Sequence, residues 1–318
     1  PPEPPKPARL QTDVELVAFA LRSRLLQPLT VTRTLTATLM KVAGFVRLQL
    51  FSPNKRGGRP LEAPRTHFNR SVSPRRNLAV MRVPLDEVRR IKHELGCTVN
   101  DVILAIAGGG LRHYLLGRRS LPEASLTAGC PVSVRSDSEA EEFNNKVSIM
   151  WTTLATDTDD PLERVSRIHE TTVGAKREFD AMGADTLLRW AEFAGPRMFN
   201  LAVRTYSRQH LADHHRPVHN LIISNVPGPR ATLYMAGMRL EAAYPAGPVM
   251  EGAGINLTVF SYADSVDFGY HVDSELVPDV WDLADATKTA FEELREAVDA
   301  RPDHRKSADE SLPRPQDG

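Results

Sequence analysis

Apolar residues recur at steps of three and four between Asp13 and about Phe51, with Leu16, Phe19 and Ala20 before Pro28 and Leu25, Leu26 and Leu29 around it. That spacing predicts helices, and the proline predicts that two of them meet near it. Asn54 to Pro64 is crowded with Gly, Pro and Arg and reads as a loop. Beyond it the period changes. Leu78 to Pro84 alternates as a strand, Leu85 to Leu95 forms a short helix stopped by Gly96, and Thr98 to Leu116 forms a longer one. Thr98 and Asp101 open that second helix with the spacing of a capping box, and Gly108, Gly109 and Gly110 lie inside it. Three glycines in mid-helix cost stability, which predicts close backbone packing there. A phosphate cradle is disfavoured, because no strand leads into them.

Leu126 to Val134 and Lys146 to Leu154 read as buried strands joined by an acidic loop. Asp160 before Pro161 starts a helix reaching about Phe179. Asp185 to Tyr206 predicts one or two apolar helices around Gly195 and Pro196. Val218 to Val226 is a strand ending in the turn Ser224 to Pro229. Three more strands are predicted at Met238 to Ala243, Gly254 to Tyr262 and Val266 to Val272, the last two joined as a hairpin through Ala263 and Asp264. Val280 to about Val298 is amphipathic and helical, and 301–318 reads as a disordered tail. Strands and helices mix without strict alternation, so the fold class is α+β, a mixed β-sheet layered with helices. The chain divides into a linker and basic helical connector over 1–64, a compact domain over 65–300, and the tail.

Composition narrows the function. Hydrophobic residues at 41% and charged residues at 25% are those of a folding chain. Forty basic against forty acidic residues give no global field for nucleic acid. Charge is polarised in one place: between Leu16 and Leu61 stand Arg22, Arg24, Arg33, Lys41, Arg47, Lys55, Arg56 and Arg59 with no acidic residue. This is either a basic segment lying on an anionic lipid surface or the solvated face of a connector. Cys97 and Cys130 lack metal spacing and read as core residues of a protein from a reducing compartment. No apolar run reaches the roughly 20 residues of a spanning helix, so membrane contact is expected to be peripheral. The opening PPEPPKP, starting without Met, suggests a chain cut from something longer.

Candidate chemistry is sparse. Ser133, Ser224 and Ser261 lack an elbow motif, which argues against a serine hydrolase. His210, His214, His215 and His219 have suggestive spacing for a metal, but Pro217 interrupts the helix that spacing requires, and no metal site is assigned.

Several strings occur in one order: Thr66, Phe68 and Asn69; VNDVILA from Val99; LRHYL from Leu111; PVSVR from Pro131; NKVSIM from Asn145; DPLERV from Asp160; SNVPGP from Ser224; and INLTVFSY from Ile255, followed by Pro278 and Asp279. In this order they resemble the C-terminal half of the bacterial wax ester synthase/diacylglycerol acyltransferase family, from about Thr66 to Leu294. The resemblance implies a fold similar to chloramphenicol acetyltransferase and condensation domains, in which two halves enclose a tunnel. It implies an acyl-CoA substrate, an acceptor that is diacylglycerol or a fatty alcohol, no metal or redox cofactor, and work in the cytoplasm at the inner membrane face or on lipid droplets. It places Asn100 and Asp101 near the catalytic centre as supporting residues, although cap chemistry alone accounts for Asp101. Ser224, Asn225, Pro227 and Gly228 become substrate-contacting candidates or a purely structural turn. Arg135 and Asn145 either place substrate or terminate strands. Asp267, Phe268, Gly269 and Tyr270 echo a scaffold motif.

The family's HHxxxDG string, whose histidine serves as general base, is absent from these residues, and the pair His214 and His215 lacks its Asp and Gly. The expected partner is therefore an N-terminal half bearing that motif. The alternative is a non-catalytic module that binds lipid or a partner; a condensation enzyme is disfavoured by SNVPGP. For the basic segment, replacing Arg22, Arg24 and Arg33 together with Gln is expected to weaken binding to anionic liposomes in a salt-sensitive way. Unchanged sedimentation with the liposomes supports the connector.

Overall fold

The computed structural model describes residues 62–133, 147–182 and 203–301. The expected helices around Pro28, the loop carrying Arg135 and Asn145, most of the 185–206 segment and the tail lie outside the described residues. In chain order the elements are β1 (Arg76–Pro84), α1 (Leu85–Leu95), α2 (Val99–Gly117), β2 (Thr127–Ser133), β3 (Val147–Thr153), α3 (Pro161–Met182), β4 (Leu221–Pro227), β5 (Tyr234–Met235), β6 (Met238–Arg239), β7 (Ile255–Tyr262), β8 (Ser265–Asp273) and α4 (Val280–Asp299).

Six strands form one mixed sheet in the order β1-β8-β7-β4-β2-β3. The β2–β4 and β4–β7 pairs are parallel, and β1–β8, β7–β8 and β2–β3 are antiparallel. The carboxyl ends of β2, β4 and β7 therefore reach the same edge of the sheet. The predicted hairpin is present, with Ala263 in the left-handed region at φ 51°. Asp160 starts α3 as expected, its side chain accepting from Leu162 N and Glu163 N at 2.7 and 3.1 Å. Thr98 and Asp101 close the full reciprocal capping box at the start of α2.

The strand expected from Met238 to Ala243 is not in the sheet. Met238–Arg239 instead pairs with Tyr234–Met235 in a separate two-stranded ribbon, turned by Ala236 (φ 50°) and Gly237 (φ 81°). Its continuation has other work. Asp267 Oδ2 accepts from Ala243 N at 3.1 Å while its carboxylate also holds Arg82 of β1 at 2.7 Å, so 243–247 is laid across the sheet face. A side chain at Gly269 would collide with the backbone of Pro245, which explains why the scaffold motif needs glycine there.

The opposite face carries α2, α3 and α4, with α4 against β1 and α3 bridging α2 to β3. α2 is buried nearly all round, from Val102 through Leu111, as befits the central helix of a layered core. Gly108 faces the carbonyl of Leu154, Gly109 the side chains of Ala290 and Arg164, and Gly110 Thr287 of α4. Arg164 of the DPLERV string is 2% exposed, donates to the carbonyls of Thr158 and Asp159 at 3.1 and 3.0 Å, and stacks its head where Gly109 leaves room. The THFN string has a comparable structural task. Asn69 Nδ2 donates to the carbonyls of Asn220 and Gly252, and its Oδ1 accepts from Asn220 Nδ2, while the Asn220 side-chain oxygen accepts from Thr127 N. That pair ties the entering segment to the starts of β2 and β4. Both cysteines are buried and free, and burial pushes the Cys97 thiol up to about 11 and Cys130 to about 12.

Adding one methyl at Gly108 should cost about 1–3 kcal/mol despite the better helix propensity of alanine, because its neighbour is a backbone carbonyl. Gly117→Ala, with open space around it, should be neutral or stabilising. Urea unfolding midpoints of the two variants check the opposite signs.

Candidate functional site

The first turn of α2 puts Asn100 and Asp101 on different duties. Asp101 is 1% exposed. Its Oδ2 accepts from Thr98 N at 2.9 Å and from His169 Nδ1 at 2.8 Å, and its Oδ1 accepts from Thr172 Oγ1 at 2.7 Å. Burial alone would raise the carboxyl, but His169, Thr172 and Thr98 outweigh it and hold the group below the ordinary carboxylate value. Since a carboxylate can only accept, the His169 proton facing it resides on Nδ1. Asp101 therefore clamps α3 to the start of α2, and every polar contact it makes is internal.

Asn100 points elsewhere: its Oδ1 lies 3.4 Å from Asn225 Nδ2 at the end of β4. Two motif residues 125 positions apart are thus neighbours. Ser224 and Asn225 sit opposite Thr258 and Val259 of β7 in parallel register. Past them the chain turns through Pro227, Gly228 and Pro229. A side chain at Gly228 would meet the carbonyl of Ser261 and the ring of Phe260, so the turn is seated directly on β7.

Pro227 and Gly228 line a cleft of about 310 Å³ together with Leu85, Arg89, Lys92, His93, Val99, Pro229, Arg230, Ser261 and Ala263. The cleft is bounded by α1 on one side, the end of β4 and β7 on another, and the start of α2 at its rim. Of the residues singled out from sequence, Asn100, Ser224, Asn225, Pro227 and Gly228 gather at this edge, while Asp101 is turned inward. Arg135 and Asn145 lie outside the described residues. His169, although held by Asp101 as a base would be held, is not among the residues lining the cleft.

Of the histidines near β4, His215 is occupied otherwise, while the buried His219 Nδ1 has no hydrogen-bond partner among the described residues. His215 Nε2 bonds the Tyr206 hydroxyl and its carbonyl accepts from Arg65. Among the described residues no group of three or more His, Cys, Asp or Glu comes close enough to hold a metal. No single described helix is long and apolar enough to cross a membrane. The cleft residues Arg89, Lys92, His93 and Arg230 were not singled out from sequence. A signal existed: 89, 92 and 93 stand at i, i+3 and i+4 of one short helix, and Arg230 directly follows SNVPGP.

Two family models match the chain: the wax ester synthase/diacylglycerol acyltransferase catalytic domain over residues 1–103, and the WS/DGAT C-terminal domain over 143–295. A Mycobacterium tuberculosis H37Rv protein named for diacylglycerol O-acyltransferase activity is 37% identical over 244 residues, covering 77% of this chain and 48% of its own length. The O-acyltransferase WSD of Acinetobacter baylyi is 37% identical over 209 residues, 65% of this chain and 44% of that protein. The solved wax ester synthase/diacylglycerol acyltransferase from Marinobacter aquaeolei VT8 superposes with a TM-score of 0.59 at 28% identity, covering 74% of this chain and 52% of that one. The chain thus spans about half the length of the curated relatives it matches, and shares the layered mixed-sheet fold of the solved one.

The internal role of Asp101 is open to a direct check. Asp101→Ala strands the Thr98 amide, the His169 ring and the Thr172 hydroxyl, and should cost about 2–4 kcal/mol in urea unfolding. The folded carboxyl is lowered, so its contribution is complete above the unfolded value near ~4 and disappears as pH falls through the folded one. The gap between wild type and variant should therefore be constant from pH 5 upward and shrink in acid; equal stability at neutral pH would show the clamp to be idle.

Proposed function

Because the chain belongs to the wax ester synthase/diacylglycerol acyltransferase family, we propose that it forms part of an acyl-CoA-dependent O-acyltransferase that esterifies diacylglycerol or a long-chain alcohol. The observation that carries this reading is the match of both parts of one enzyme family along a single chain. The meeting of Asn100 with Asn225 supports it, since VNDVILA and SNVPGP then serve one edge of the sheet.

In this reading the acceptor hydroxyl loses its proton to a neutral imidazole as its oxygen attacks the thioester carbonyl. Donors stabilise the resulting oxyanion. The carbon–sulfur bond then breaks, the imidazolium returns the proton to the departing thiolate, and ester and free CoA result. The imidazole would come from a segment carrying HHxxxDG, which these 318 residues lack. The described half contributes positioning: α2 and the β4 turn form one rigid wall, with the amides of Asn100 and Asn225 as hydrogen-bonding groups that need no proton transfer of their own. No metal or redox group is required by these steps. The site of action is proposed to be cytoplasmic, at the inner membrane face or a lipid-droplet surface.

Radiolabelled acyl-CoA supplied with diacylglycerol or hexadecanol to the chain combined with an HHxxxDG-bearing half should give labelled triacylglycerol or wax ester. Absence of ester from both acceptors would defeat the acyltransferase reading and leave a lipid- or partner-binding module of the same fold.

A further inference from the structure

We propose that the basic cleft beside the β4 turn is a phosphate-binding site for the nucleotide end of the acyl donor, which carries a ribose 3′-phosphate and a pyrophosphate. Four basic side chains reach the cleft from two elements: Arg89, Lys92 and His93 from α1, and Arg230 from the segment after β4. None of the eleven lining residues is acidic. Among the described residues none of the four has an ion-pair partner, whereas Arg82 of β1 does. Arg90, between them in sequence, is taken by Glu87, Glu94 and Asp299 on the other side of α1. Asp264, one residue beyond the lining Ala263, makes no ion pair among the described residues, and Asp86 turns back to accept from Glu87 N.

Helix chemistry explains only part of this arrangement. Lys92 and His93 stand in the last turn of α1, where cations offset the helix dipole. Arg230 follows a strand and a proline turn and has no helix end to compensate, yet it faces the same space. At the start of α2 on the rim, the capping box takes the amides of Thr98 and Asp101. The positive charge is thus carried by long side chains around a hollow, which suits a multiply charged phosphate ester. A volume of about 310 Å³ admits phosphates and part of a ribose but not a whole acyl donor, so the acyl chain would lead away from it, past Gly228 toward Asn225 and Asn100.

The identification of the phosphates as those of CoA rests on the acyltransferase reading; the binding test does not require acyl transfer. Adenosine 3′,5′-bisphosphate is titrated calorimetrically into the full 318-residue chain. Saturable one-site binding is expected, weakened by salt and reduced about tenfold by each of Arg89→Gln, Lys92→Gln and Arg230→Gln. Arg295→Gln, which removes an exposed cation of α4 paired with Glu292, should leave it unchanged. No saturable binding, or binding indifferent to the three cleft replacements, overturns the proposal. So does inorganic phosphate competing as well as the bisphosphate, which marks a general anion pocket. Loss of phosphatidylglycerol-vesicle binding in the same variants, with no bisphosphate binding, overturns it in favour of a lipid headgroup. Ester formation without bisphosphate binding sinks this site alone, whereas bisphosphate binding without ester formation sinks the acyltransferase reading and with it the assignment to an acyl donor, leaving only a nucleotide-phosphate site.

Discussion

The closeness with which α2 is set into its surroundings governs the rest of the molecule. Three consecutive residues without side chains let the helix backbone approach the strand exit at Leu154, the buried head of Arg164 and the Thr287 face of α4 at once. A helix held that tightly from three directions has one axial position, and its first turn is then fixed with it. The N-terminal end is pinned again by Asp101, whose bonds to Thr98, His169 and Thr172 join α2 to α3. Asn100 arrives beside Asn225 because the helix can be seated nowhere else. What the three glycines lose in helix propensity, a few kcal/mol together, is offset by the packing of a helix buried on nearly every side.

Charge is arranged on the same principle of occupied and unoccupied groups. Buried carboxylates are fully engaged: Asp267 holds Arg82 and the amide of Ala243, and Asp273 accepts from Ser73, Glu275 and Leu276. Such groups fix the backbone and have nothing left for a ligand. Arg118 is likewise consumed by Asp279 and stacks over the Tyr114 ring. Against this background the unpartnered cations of the cleft stand out, although a chain with equal numbers of acidic and basic residues shows no trace of them in its net charge. Their effect is local, within a screening length of about 8–10 Å.

Local chemistry was readable from sequence wherever it was decided by neighbours in the chain. The capping box at Thr98 and Asp101, the Asp160 start of α3, the Gly96 stop of α1 and the β7–β8 hairpin all follow from side chains acting within four residues. The strand read into Met238 to Ala243 failed for the opposite reason. Alternation was present, but the distant Asp267 takes Ala243 N and the prolines that follow at 245 and 248 have no amide to give a ladder. Family strings located the right edge of the sheet without separating roles along it: Asp101 and Asn100 are adjacent in one motif, yet one is sealed inside and the other faces β4. The cleft was invisible because its wall is assembled from α1, the β4 turn and the β7 end, segments more than 30 residues apart.

That separation of roles bears on how an ester-forming site would be divided between halves of such an enzyme. A general base must exchange a proton near neutral pH and sit against the attacking oxygen. Among the described residues on this side of the sheet, the imidazoles held by carboxylates, His169 by Asp101 and His113 by Glu293, are spent joining pairs of helices and lie off the cleft. The groups that do reach the edge, Asn100, Asn225 and the turn backbone, do not titrate and can keep one geometry through the reaction. The cations Arg89, Lys92 and Arg230 line the neighbouring cleft, where the proposal places a donor's phosphates. At the Asn100–Asn225 edge the wall supplies alignment but no base, since His93 belongs to the cleft on the far side of the β4 turn residues. The proposed chemistry therefore takes its proton acceptor from the segment that carries HHxxxDG, and the close seating of α2 gives that acceptor a fixed surface to work against.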